Sequence, residues 1–205
     1  MRDNIFWSLA SAVPLWTAYQ VSTFWLQANH IVPTVDWATH PIYCVVLLLL
    51  IPVWLSVHFF AIHRLIHWRP LYRSVHYLHH KNVNPGPWSG LAMHPIEHLL
   101  YFSAVILFWI IPSHPLHGLY LLQYLALGAT LAHLGFERLV WTKGSRLDVG
   151  DYHHYLHHKY VTVNYGVDPV PIDKWAGSLY DGSDATREAL KKRVREAARR
   201  TRLAG

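Results

Sequence analysis

Four apolar runs separated by polar stretches set the pattern of this chain. Residues 5–26 carry no charged side chain, and residues 41–62 repeat the pattern with a denser aliphatic centre. Each is long enough to cross a bilayer as a helix, which takes roughly 20 apolar residues. Pro52 falls inside the second run and is expected to bend it. The third and fourth runs, 99–111 and 119–132, are shorter and bracket the turn PSHPLHG. Two arrangements stay open for them: both cross with tilt, or they form a hairpin that dips in and returns. Either way both ends emerge on the side they entered. A secretory signal is the competing reading of the first run, and it is weaker. Arg2 is nearly balanced by Asp3, and the run is long and aromatic.

The expected fold is therefore all-α: an integral-membrane helical bundle of about four segments, or two spans plus a hairpin. Residues 1–183 form this unit. After the turn-rich GSLYDGSD, the stretch 184–205 reads as a basic tail helix. A solvated surface helix is the plain reading of that tail. Attraction to anionic head groups, about 1 kcal/mol per basic residue, is the sharper one.

Composition agrees with a membrane setting. Of 205 residues only 15% are charged and 52% are hydrophobic, against about a quarter charged in soluble domains. The single Cys44 excludes a disulfide framework and a cysteine-based zinc site. The net charge of +6 gathers in the tail, which argues against nucleic-acid binding. All 18 Lys and Arg avoid the loops 27–40 and 112–118. By the positive-inside rule the opposite side, with both termini, is cytoplasmic, in a bacterial inner membrane or the ER membrane.

Seventeen histidines change the picture. The hexapeptide HYLHHK occurs twice, at 76–81 and 154–159. His63 and His67 share a helix face at the end of the second run, and His133 closes the fourth. The layout brings His63, His67, His76, His79, His80, His133, His154, His157 and His158 to one boundary. Imidazole is a common ligand for iron and zinc. One metal takes four to six ligands, so nine histidines argue for two. His30, His40, His114 and His117 lie by the far loops and read as interfacial, and His58 as packing. Whether His153 or His154 leads the last box stays open, since both have a partner four residues on. His94-Pro-Ile-Glu97-His98 matches the H-x-x-E-H pattern of zinc hydrolases. That reading leaves nine other histidines unexplained; otherwise Glu97 and His98 either support ligands from behind or form the entry to the third apolar run, and His94, Glu97 and His98 stay candidates for metal or supporting contacts. A metal transporter or sensor is the third reading, disfavoured because the ligands gather at one end rather than along the spans.

The strings HRLIHWRPLYRSVHYLHH, HPIEHLLYF, HLGFE and HHYLHHKYVTVNYG make the chain similar to the fatty acid hydroxylase/sterol desaturase superfamily. The resemblance implies two iron ions on the histidine boxes, with O2 as co-substrate. It implies hydroxylation or desaturation of a lipid drawn from the bilayer. An alkyl C–H bond yields to no acid–base side chain, so a redox metal is required. The chain has no nucleotide fingerprint, haem-attachment motif or iron–sulfur cysteines of its own. An external electron donor is implied: a ferredoxin, a cytochrome b5-like protein or a reductase. Glu137, Asp148 and Asp151 are candidates to orient ligand imidazoles. Asn164, Tyr165 and Trp88 are candidates to line the substrate mouth, with Trp88 at the interface.

Overall fold

The computed structural model describes residues 1–136, 138–148, 152–167 and 169–203. Helices dominate it. α1 (Arg2–Trp7), a π-helical turn (Ser8–Ala12) and α2 (Val13–Ala28) run on without a break. α3 (Pro41–Ile66) is the helix among the described residues that is long and apolar enough to cross a membrane. It ends beside two short helices, α4 (Arg69–Leu71) and α5 (Tyr77–His80), joined by a π-helical turn at Tyr72–His76. The third run folds as α6 (Pro95–Phe102), a 3-10 turn (Ser103–Ile106) and α7 (Leu107–Ile110). The fourth is α8 (Pro115–Leu131).

Both α6 and α8 start on a His-Pro pair, for one physical reason. Proline has no N–H to leave unsatisfied in the first turn. The preceding imidazole, His94 or His114, accepts the backbone N–H two residues on through Nδ1. The His94 of the H-x-x-E-H string is therefore a helix cap.

The four rods pack around Leu47, Ile51, Leu55, Phe102, Val105, Phe108, Leu121, Leu122 and Leu125. At one end the two connecting loops meet: Thr34 bridges Ser113, and Gln27 Nε2 donates to Ser113 Oγ at 3.0 Å. At the other end Asn4 Nδ2 donates to Asn82 Oδ1 at 2.8 Å, beside the second histidine box. The histidine strings and the N-terminus thus share an end, opposite both lysine-free loops.

One expectation is corrected. The chain is not all-helical: β1 (Arg138–Thr142) and β2 (Ser145–Asp148) form an antiparallel hairpin. Lys143-Gly144 makes its two-residue turn, with Gly144 at φ 93°, a geometry such turns favour. Then come α9 (Tyr152–Tyr160), α10 (Ile172–Trp175) and α11 (Asp184–Leu203). α11, expected as a tail, is docked: Leu190 is buried with Leu156, Val163 and Tyr180. Arg193 donates to the carbonyl oxygens of Gly177 and Thr162.

Gly90 is where the loop before α6 touches α8. A Cβ there would lie 2.2 Å from the Ala129 carbonyl oxygen. Gly128 on the same helix has open space around it. Gly90→Ala is expected to destabilise the fold by about 1–3 kcal/mol through overpacking. Gly128→Ala, the control, should not lower the melting temperature. Thermal unfolding of the two variants in one detergent checks this.

Candidate metal centre

Nine imidazoles converge at the polar end of the bundle, in two groups. One holds His63, His67, His76, His80 and His157; the other holds His79, His133, His154 and His158. Within each group the ligand nitrogens all lie within 4.8 Å of one another. Eight of the nine are buried, and His67 is half-buried. These are the nine that the sequence pattern singled out.

The two HYLHH boxes divide their rings reciprocally. From α5 and its preceding turn, His76 and His80 enter the five-membered group while His79 enters the other. From α9, His154 and His158 enter the four-membered group while His157 crosses to the five. In each box the i,i+4 pair faces one group and the intervening ring faces the other. The groups adjoin: the His80 and His158 ring centroids are 4.8 Å apart.

The nitrogens point at one another. His67, His157, His80 and His76 form a closed ring of Nε2 contacts of 3.0–3.1 Å. In the second group His133 Nε2 lies 3.0 Å from His158 Nε2, which lies 3.2 Å from His154 Nε2. Tautomers follow from the opposite side of each ring. His63 Nδ1 donates to the Tyr165 carbonyl at 2.7 Å and His157 Nδ1 to the Val163 carbonyl at 2.6 Å. His133 Nδ1 donates to the Ala129 carbonyl at 2.7 Å. His76 Nδ1 donates to Glu97 Oε1 at 2.7 Å. With that hydrogen on Nδ1, a neutral ring leaves Nε2 as a bare lone pair. In the closed ring His76 and His157 are bare, so hydrogens on His67 and His80 serve at most two of four contacts. His63 Nε2 is buried without a hydrogen-bond partner. Such a donor set fits a transition-metal ion. Nitrogens about 3 Å apart at right angles around a centre lie about 2.1 Å from it, a normal metal–imidazole bond.

A family model described as fatty acid hydroxylase matches residues 45–178, which include all nine histidines. The chain belongs to this family. Among curated relatives of this hydroxylase-family chain, a Delta(7)-sterol 5(6)-desaturase of Gibberella zeae is 32% identical over 57% of the chain and 36% of its own length. A Delta(7)-sterol 5(6)-desaturase of Candida glabrata is 27% identical over 92% of the chain and 54% of its own length. A methylsterol monooxygenase of Aspergillus fumigatus is 31% identical over 66% of the chain and 46% of its own length. The chain thus spans between a third and just over half of these relatives. No solved structure matches it.

A cavity of about 260 Å³ abuts the histidines. His63, His76, His79, His133 and His154 border it, with Leu55 and Phe59 of α3, Tyr101 of α6, and Tyr124, Leu125 and Gly128 of α8. None of these apolar residues was legible as site-forming, because nothing in their spacing distinguishes a cavity wall from ordinary core.

Several assignments are corrected. Asn164 does not border this cavity. It is buried, donating to the His153 and Tyr180 carbonyls and accepting from the Tyr180 N–H. Tyr165 does not line the cavity; its carbonyl orients His63, and its ring lies under the Arg64 guanidinium. Trp88 is also away from the cavity, and its carbonyl accepts from Ser8. His153 stands outside both groups, 3.4 Å from Asp173 Oδ2, so His154 leads the box. His98 pairs with Ser11, and neither His94 nor His98 joins a metal-ready group among the described residues. Glu97 binds His76 instead of serving an H-x-x-E-H site. Glu137, Asp151 and the Asp148 side chain lie outside the described residues.

Asp173 was missed, since an isolated aspartate beyond the boxes carries no pattern. It accepts from the Tyr165 and Gly166 amides at 2.9 and 2.6 Å and from Ser178 Oγ at 2.6 Å. Burial alone would raise its pKa; these hydrogen bonds and His153 outweigh that and hold it at about 2.

Burial, reinforced by mutual repulsion of the charged forms, drives the clustered rings the other way. It pushes His158 down to about 2 and His157 to about 3, and burial takes His133 to about 4. His67, His79, His80 and His154 also fall well below the usual value. In the unfolded chain these rings titrate near about 6.5. Below that pH the unfolded state binds more protons, so stability is lost as pH falls. Each ring held neutral costs the fold about 1.4 kcal/mol per pH unit below about 6.5, until its folded pKa is reached. With a chelator present, the melting temperature should drop steeply between about pH 7 and pH 5. A flat profile over that range would contradict the neutral cluster.

Proposed function

We propose that this chain is a membrane-embedded di-iron oxygenase that hydroxylates or desaturates a lipid, with O2 and an external electron donor. The observation that carries it is the pair of buried imidazole groups bordering an apolar cavity. His63, His67, His76, His80 and His157 would hold one iron; His79, His133, His154 and His158 would hold the other. When bound, the irons supply the O2-dependent oxidation that an unactivated C–H bond requires. Imidazole-rich, buried sites suit iron or zinc, and iron is the one of the two with redox chemistry.

The remaining work falls to residues of the chain. Glu97 and the carbonyls of Ala129, Val163 and Tyr165 fix the tautomers, so that every imidazole they hold offers Nε2. Leu55, Phe59, Tyr101 and Leu125 exclude water and bind apolar surface, roughly 25 cal/mol per Å² buried. Tyr124 and Leu131 are 40% and 41% exposed on the outer face of α8, where the cavity meets the surroundings of the bundle. A lipid would enter there with its target carbon leading.

The membrane reading rests on the outer faces. The most apolar stretch of α3 is only 22% buried, unlike the core helix of a soluble domain. Ile42 and Leu49 of α3, Ile110 of α7 and Leu127 of α8 stand 60–80% exposed. An apolar surface of that extent needs lipid or a partner against it. With the lysine-free loops at the opposite end, the histidine end faces the cytoplasm, where a soluble donor delivers electrons. The sterol-directed names of the relatives make a sterol or a similarly rigid lipid the first substrate class to test.

Two measurements test this reading. Protein purified anaerobically should carry about two irons per chain. Lipids from cells with and without the gene should differ by one added oxygen or two lost hydrogens, and His79→Ala and His157→Ala should each cut that product at least about 100-fold. Undiminished product in either variant would refute the assignment. The cavity has its own test. Gly128→Leu adds a side chain where a Cβ meets nothing within 4 Å, so folding should survive while product formation falls and apparent KM rises.

A further inference from the structure

We infer that Asp173 is a positioning residue for the five-histidine group, acting on His63 through the Tyr165–Gly166 peptide. This rests on the metal-centre reading above. One peptide unit connects the two side chains. Its N–H, on Gly166, donates to Asp173 Oδ2 at 2.6 Å, and its carbonyl, on Tyr165, accepts from His63 Nδ1 at 2.7 Å. A carboxylate on the N–H side polarises the amide and makes its oxygen a stronger acceptor. The imidazole behind that oxygen becomes a better-aimed and more basic ligand.

The loop that carries this peptide does not hold its shape unaided. Val161 and Asn164 sit at φ 64° and 53°, a left-handed region that is costly for a β-branched residue such as valine. The same loop presents the Val163 carbonyl to His157, so residues 163 and 165 serve two ligands of one group. Asp173 clamps it from behind with the Tyr165 N–H, the Gly166 N–H and Ser178 Oγ. In the four-histidine group, by contrast, His133 is oriented by the Ala129 carbonyl of its own helix. Asp173 also lies 3.4 Å from His153, the residue before His154, but the backbone contacts of its carboxylate all fall on the loop that orients the five-histidine group.

That asymmetry makes the test selective. Metal-stripped wild type, Asp173→Asn, Ser178→Ala, His79→Ala and the Asp173→Asn/His79→Ala pair would be titrated anaerobically with Fe(II) in detergent against a competing chelator. Bound iron per chain is the readout. Asparagine keeps one acceptor but turns an amide N–H toward a backbone N–H. Asp173→Asn should therefore bind one iron about 10-fold more weakly and leave the second unchanged. His79→Ala should weaken the other iron, and the pair should weaken both. Ser178→Ala, which removes one contact and keeps the carboxylate, should show a smaller loss at the same iron as Asp173→Asn.

Two irons held by Asp173→Asn as tightly as by wild type would overturn the inference, and so would equal weakening of both, the mark of a general structural lesion. Should Asp173→Asn fail to fold, Ser178→Ala decides: selective loss supports the inference, and unchanged binding of both irons overturns it. Wild type that takes up fewer than two irons refutes the metal-centre reading before any variant is compared, and the inference falls with it.

Discussion

Ring nitrogens facing each other at hydrogen-bond distance repel unless a hydrogen lies between them, and in the closed ring of four imidazoles hydrogens serve at most two of the four contacts. The rest of the molecule is arranged to make that tolerable. Protonation would relieve the contact between lone pairs, but burial makes charged imidazole too costly. Swinging the rings apart would relieve it too, but backbone carbonyls and Glu97 grip the far nitrogen of His63, His76, His133 and His157. A cation between the lone pairs would relieve it, which is the arrangement the proposed metal centre supplies. The apolar rods matter because they remove water from one side of the cluster. The polar cap matters because it supplies the Val163 and Tyr165 carbonyls, acceptors that the middle of a helix, with its own carbonyls already bonded, cannot spare; the last turn of α8 adds that of Ala129.

The clustering of the nine histidines was readable from the chain. His63, His67 and the two hexapeptides announce themselves through i,i+4 spacing, and His133 through its place at the end of an apolar run. Helix periodicity determines which way a ring points, and run order determines which end of the bundle it reaches. The supporting residues were harder. Glu97 was found through an H-x-x-E-H string that invited a different chemistry; its role became clear only when His76, 21 residues earlier, was seen 2.7 Å away. Asn164 and Tyr165 stood out in the sequence, yet neither borders the cavity. Their sequence neighbourhood marks an unusual loop, but only coordinates show that Tyr165 contributes a carbonyl while Asn164 closes the loop behind it. Asp173 left no trace, because a carboxylate that binds backbone amides needs no side-chain pattern around it. The hairpin of β1 and β2 was overlooked because the helical trend around it dominated a short segment.

The family match and the geometry bear on different questions. The match establishes lineage over residues 45–178. It does not say why an aspartate near the end of that span belongs to the same unit as a histidine near its beginning. The hydrogen bonds do: His63 and Asp173, 110 positions apart in the chain, hold opposite edges of one peptide. α11 extends the same support, since Leu190 packs against Leu156 and Val163 while Arg193 reaches the Thr162 and Gly177 carbonyls.

The reciprocal division of the hexapeptides fixes the register of both helices. Each must aim rings in two directions at once, and a helix advances about 100° per residue. Inserting or deleting a single residue between the first histidine and the last pair would not move a ring from one group to its neighbour; it would turn it toward neither. Neither copy can drift in length without disturbing both groups, because each group draws on both boxes. The two halves of the centre are thus interwoven by chain geometry.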